Sequence, residues 1–230
     1  TPISGLHGAL LMGAAGAALL VPQPGCQEAT ASLAVAARPA GMGELLRIPL
    51  FRRVMLVSAL VLGSHAMHDA FAVIRWSEAN VTPVMASVLW SESVAAEVVV
   101  FFVIGPPLVT RLGPAGAIAL AGGAGVLRWM VMASTANMMA LALVQPLHGL
   151  TFAALHLACM RFIAAIVPRR LAATAQALYA LGAGAATALL TLASGRLYAS
   201  FGPQGFVLMA ALCAAVPPLA MRLRSAVPPA

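Results

Sequence analysis

Residues 85–109 read MASVLWSESVAAEVVVFFVIGPPLV, an apolar run that carries Glu92 and Glu97 and no basic residue. A helix needs about 20 mostly apolar residues to cross the hydrocarbon core of a bilayer. Working outward, the same density of apolar residues recurs over 3–21, 54–74, 115–134, 138–167, 171–198 and 205–221. Pro, Gly or charge marks the gaps: Thr110-Arg111-Leu112-Gly113-Pro114, Pro168-Arg169-Arg170 and Ser200-Phe201-Gly202-Pro203. The fold class is therefore an all-α, polytopic membrane helix bundle with seven spans.

Composition agrees. Of 230 residues, 62% are hydrophobic and 8% charged, with a mean hydropathy of +0.97. Soluble domains are about 45–50% apolar and about 25% charged. Nineteen charged side chains (13 basic and 6 acidic) cannot cover the surface of a soluble fold of this size. A soluble enzyme, a disordered chain and a nucleic-acid module are excluded. The net charge of +7 does not revive nucleic acid as a partner, because all thirteen basic residues are Arg and most lie in the gaps between apolar runs. Cys26, Cys159 and Cys213 have no metal-ligand or CxxC spacing, so neither a disulfide framework nor a metal cluster is expected of them. The chain opens Thr1-Pro2 with no basic segment before its first apolar run, which reads as a piece of a longer protein and not as a signal peptide.

Orientation follows from the Arg positions. Seven spans put 22–53, 110–114, 168–170 and 222–230 on one side. Those segments hold Arg38, Arg47, Arg52, Arg53, Arg111, Arg169, Arg170, Arg222 and Arg224. The positive-inside rule makes this side cytoplasmic. The segment from Glu44 to Arg53 could lie along the membrane surface.

Polar groups inside the spans carry the functional information. At 1.5 Å per residue, Glu97 lies about 18 Å into its span, Arg128 about 20 Å, His148 about 15 Å and His65 about 17 Å. One acid, one base and two imidazoles from four spans therefore share a depth. Ionisable groups at such depth are costly and face a partner or a cavity. A carboxylate that can gain and lose a cationic neighbour is the requirement for a proton-coupled switch. Glu97, Arg128 and His148 are the expected coupling set, with Glu97 and Arg128 as an ion pair. The face of Glu97 also presents Trp90, Ser93 and Phe101, suited to an amphipathic or aromatic solute.

Each group has a plainer reading. Arg161 can snorkel to the headgroups from near Pro168. His156 can be a packing residue, and Glu92 can be hydrated near the span end. Asp69 with His65 and His68 resembles a metal cluster, but no second ligand set accompanies it. The small-residue runs Gly122-Gly123-Ala124-Gly125 and Gly182-Ala183-Gly184 fit tight helix packing, or helices that rock during transport.

Leu89-Trp90-Ser91 through Ala96-Glu97 and Phe101, then Leu127-Arg128-Trp129 and Gln145-Pro146-Leu147-His148-Gly149-Leu150-Thr151-Phe152, resemble the phenylpropionate-permease-like branch of the major facilitator superfamily. His156, Met160-Arg161, Gln176, Tyr179 and Gly195-Arg196-Leu197-Tyr198 continue the likeness. The resemblance implies helices six to twelve of a twelve-helix transporter. Residues 1–22 would be the last helix of the N-terminal half and 23–53 the central cytoplasmic loop. Residues 54–222 would form the C-terminal six-helix bundle, and 223–230 a cytoplasmic tail. Lactose permease is similar at greater distance. Its coupling set has a Glu, an Arg and a His where Glu97, Arg128 and His148 stand, but its second carboxylate is replaced by Thr151.

The expected function is proton symport of a small organic solute, aromatic acid-like, nucleoside-like or sugar-like, by alternating access. The cavity would be lined by His65, Trp90, Ser93, Phe101, Gln145, Thr151 and His156. Partners would be solute, protons, the bilayer of the inner membrane and the missing N-terminal half. No cofactor and no enzymatic activity are expected. The competing readings are an efflux antiporter and a non-transporting membrane protein, such as an intramembrane metalloenzyme.

Overall fold

The computed structural model describes Met12 and residues 41–223. Apart from Met12, the expected span 3–21, the expected loop up to residue 40 and the tail from residue 224 lie outside the described residues. The chain divides into the units Thr1–Ala40 and Gly41–Ala230, and the fold described is that of the second.

Among the described residues all regular structure is helical. Four stretches are long and apolar enough to cross a membrane: Pro49–Glu78, Pro83–Ser134, Met138–Ile166 and Arg169–Met221. Local chemistry sets their ends. Pro49 and Pro83 stand in the first turns of their helices, where a missing N–H costs nothing. Thr82 Oγ1 accepts from the Met85 amide at 3.3 Å, and Asn137 Oδ1 accepts from the amides of Met139 and Ala140 at 3.0 and 3.2 Å. Asn80, at φ 62°, closes the first stretch. Helix begins at Pro49 and not at the expected 54, and Phe51 is wholly buried, so this end of the surface segment belongs to the bundle. Glu44, in the short helix Met42–Arg47, accepts from Arg170 at 2.5 Å.

The second and fourth stretches hold 52 and 53 residues. As straight helices each would run about 78 Å, well over twice the about 30 Å hydrocarbon core. Both are broken where the sequence offers Gly-Pro. Gly113 adopts φ 68°, ψ 161° immediately before Pro114, and Gly202 adopts φ 53°, ψ −136° immediately before Pro203. Only glycine reaches such dihedrals without strain.

Two buried clusters fill the bundle. One gathers Leu45, Phe51, Val57, Ile118, Leu155, Phe162 and Val216; the other gathers Met67, Trp76, Leu89, Trp129, Met132 and Phe206. Large apolar side chains such as Val84, Phe102, Leu181 and Leu192 point outward, as lipid-facing residues do. Some of the small residues sit at close helix approaches and others do not. A Cβ on Gly125 would lie 2.5 Å from Cys213 Sγ and one on Gly122 2.9 Å from Val216 Cβ, whereas Gly123 and Gly184 face open space.

Gly149 gives a direct test of close approach. A Cβ there would meet the Ala96 carbonyl oxygen at 2.7 Å, backbone that cannot swing aside. Gly149→Ala should destabilise the complete transporter by about 1–3 kcal/mol through overpacking. The measurement is the thermal unfolding midpoint in detergent. An unchanged midpoint would mean that the second and third stretches are not held together there.

Candidate functional site

The helices that supply polar side chains are irregular beside those side chains. The first stretch turns at Ser64-His65, between the helices Pro49–Gly63 and Ala66–Glu78. The second changes to a π-helical segment, Val100–Ile104, just after Glu97. The third has a 3₁₀ turn at Gln145–Leu147 and a π-helical segment at Leu150–Ala154, one on each side of His148. Single π turns inside α-helices occur often at functional sites, the extra residue being absorbed in one wide turn.

Arg128 is the hub, in the helix Gly105–Ser134 and only 1% exposed. Its Nη1 donates to His148 Nδ1 at 3.1 Å and its Nη2 to Gln145 Oε1 at 3.1 Å. Gln145 Nε2 continues to the Leu89 carbonyl at 3.5 Å. A guanidinium only donates, so His148 Nδ1 must accept and the ring proton sits on Nε2. That nitrogen faces Glu97 Oε2 at 3.3 Å, within ion-pair range. The expected direct pairing of Glu97 with Arg128 is therefore replaced by a bridge, carboxylate to imidazole to guanidinium. The side chains of Glu97 and His148 are 30% and 15% exposed, so the bridge opens to one side while Arg128 is sealed. Phe152, four residues beyond His148, stacks on the imidazole at 5.6 Å and 20°.

Behind the bridge lies an aromatic wall. The His65 ring is 5.0 Å from His148 and 5.2 Å from Trp129. The His68 ring touches all three tryptophans: Trp90 at 4.8 Å, Trp129 at 5.7 Å and Trp76 at 5.8 Å. Its Nδ1 is 3.3 Å from Asp69 Oδ1. Trp129 is fixed by Nε1 donating to Ser64 Oγ at 2.8 Å, while Ser64 donates to the Val61 carbonyl at 2.6 Å.

The structure brings together Glu97, Arg128, His148, Gln145 and His65, with Trp90 reached through His68. Ser93 and Thr151 are buried, and their hydroxyls donate to backbone carbonyls of their own helices, Leu89 and His148. Phe101 and His156 form a separate aromatic group, 6.2 Å apart, with Tyr179 edge-on to His156 at 5.7 Å. Arg161 lies outside the cluster and donates to Thr110 Oγ1 at 2.9 Å. His65 and His68 turn to different partners, and among the described residues no group of three or more His, Cys, Asp or Glu could hold a metal ion. Sequence reading gave no role to Phe152, nor to Trp76 and Trp129 as walls around His68. Only the four-residue spacing of His148 and Phe152 signalled any of these contacts.

Four apolar helical stretches of this length around a sealed guanidinium mark a polytopic membrane protein. Residues 9–209 match the family model described as MFS_1 like family, and the chain belongs to that branch of the major facilitator superfamily. Over 158 residues it is 33% identical to a protein of Escherichia coli (strain K12) described as a probable 3-phenylpropionic acid transporter. The alignment covers 69% of this chain and 41% of that protein, so the chain spans well under half of its relative. No solved structure matches. The chain is thus a multi-pass membrane protein of a transport family and not an enzyme.

Proposed function

We propose that the transporter to which this chain belongs takes up a small aromatic acid together with a proton by alternating access in the cytoplasmic membrane. The carrying observation is the row Glu97–His148–Arg128, a 3.3 Å contact followed by a 3.1 Å hydrogen bond. A carboxylate joined through a neutral imidazole to a fixed cation can take a proton when that link opens. Arg128 is sealed, with both Nη atoms bonded to His148 and Gln145; once those bonds open, its fork is a bidentate donor for a solute carboxylate, and Trp90 and Phe152 offer faces for a ring. The substrate class also draws support from the name of the Escherichia coli relative. In the finer architecture residues 54–221 form six spans, and 3–21 adds a seventh. The breaks at Gly113 and Gly202 support dividing the two longest helical stretches. The nine-Arg side is cytoplasmic, and the other half of the solute cavity comes from the N-terminal half.

The test is uptake of labelled 3-phenylpropionate by the complete transporter in proteoliposomes. A weak acid also crosses lipid unaided, so protein-free vesicles are subtracted and initial rates are compared. Protein-dependent uptake should rise when the lumen is made alkaline and collapse with a protonophore. Uptake stimulated by an acidic lumen instead would identify a proton antiporter and overturn the symport reading.

A further inference from the structure

Four nitrogens in the cluster are buried without a hydrogen-bond partner, His65 Nε2, His68 Nε2, Trp76 Nε1 and Arg128 Nε, and the two on imidazoles can both accept and release a proton. His65 and His68 are 4% and 1% exposed. Orphaned polar atoms this deep are uncommon and point to bridging water. The two histidines lie three residues apart, on one face of the chain, and both rings border Trp129. Beyond His68 stands Asp69, half exposed, at 3.3 Å from Nδ1. Beyond His65 stands His148, which meets Glu97, itself partly exposed. Two short runs thus reach solvent-exposed carboxylates, Asp69–His68 and His65–His148–Glu97, with Trp129 bordering both histidines between them.

We propose that Asp69, His68 and His65 form a proton path that loads the Glu97–His148 pair, with Arg128 as its valve. This deepens the proton-coupled reading of Glu97 and rests on it. An imidazole accepts a proton on one nitrogen and releases one from the other. His68 takes a proton from Asp69 at Nδ1 and releases one from Nε2 to water, which has to span the gap to His65 Nε2. His65 passes it toward His148. There the path stops, because Arg128 Nη1 occupies the His148 Nδ1 lone pair. A solute carboxylate that draws Arg128 away frees that lone pair. His148 then accepts the proton at Nδ1 and delivers its Nε2 proton to Glu97. One proton leaves Asp69 and one arrives at Glu97, while Arg128 keeps its charge throughout. The tryptophans around His68 exclude bulk water, and their faces favour a transient imidazolium. Charged and titratable groups facing the row are Asp69, Arg128 and Glu97, with Cys213 behind Ser64.

The experiment compares His68→Gln and Asp69→Asn with wild type and with Glu97→Gln in the complete transporter, again with labelled 3-phenylpropionate. Counterflow at equal pH reads solute handling without net proton movement. In both path variants the gradient-driven initial rate should fall about tenfold or more, while counterflow stays within about twofold. Asp69 lies at the half-exposed end, so its variant keeps the test valid if His68→Gln fails to fold. Driven uptake at the wild-type rate in both variants, or an equal fall in counterflow in both, overturns the path. If Glu97→Gln loses driven uptake and the other two keep it, the path alone fails. Full pH-driven uptake by Glu97→Gln removes the coupling reading and the path with it.

Discussion

Glu97→Gln in the complete transporter is expected to lose the stimulation of uptake by an alkaline lumen while retaining measurable counterflow. The Gln amide keeps the size and place of the carboxylate that stands 3.3 Å from His148 Nε2, and the His148–Arg128 bond is untouched. What disappears is the ability to take a proton. Removing a positioned proton-transfer group costs about a hundredfold or more in the step it serves. Protein-dependent uptake at an alkaline lumen should therefore fall to its rate at equal pH. Initial rates in proteoliposomes decide it. A variant that still responds to the gradient would send the proton elsewhere, and His148 is the next group to substitute.

Arg128→Ala should remove both activities, and that difference separates anchoring from protonation. The side chain is sealed from solvent and holds His148 and Gln145 in place. Truncating a buried charged partner of a hydrogen-bonded group costs about 2–5 kcal/mol. Counterflow of 3-phenylpropionate should fall at least about thirtyfold if its carboxylate binds there. Arg128→Lys should restore little, since one ammonium cannot reproduce the planar fork that serves Nδ1 and Oε1 together. Unimpaired counterflow in Arg128→Ala would remove the guanidinium from solute binding. Loss of activity with a normal unfolding midpoint would separate function from folding.

Much of this arrangement was legible from the chain. Glu97, Arg128 and His148 stand out because ionisable groups in apolar runs are expensive and rise and pitch alone give their depths. Gly113-Pro114 and Gly202-Pro203 stand out because both dipeptides break helices. The interposed imidazole did not stand out, since depth says nothing about azimuth and Glu97 and Arg128 come from different helices. The three tryptophans around His68 were illegible for the same reason. Trp76, Trp90 and Trp129 share no spacing, and only tertiary packing brings them to one ring. Thr151 is expected in the cavity from its place in a motif, and the structure adds that its hydroxyl donates to the His148 carbonyl.

The π-helical segments Val100–Ile104 and Leu150–Ala154 pack against each other through Val100, Ala153 and Ala154. Each carries the equivalent of one inserted codon, and the two insertions face one another. Deleting one residue from either segment should close that turn to α and leave the helix beyond it in phase. A deletion elsewhere in the same helices would turn everything beyond it by about 100° and separate Phe101 from His156 or misalign Leu155 in the core. In a lineage of such genes single-codon losses should therefore gather at 100–104 and 150–154 and be rare in the rest of 83–134 and 138–166.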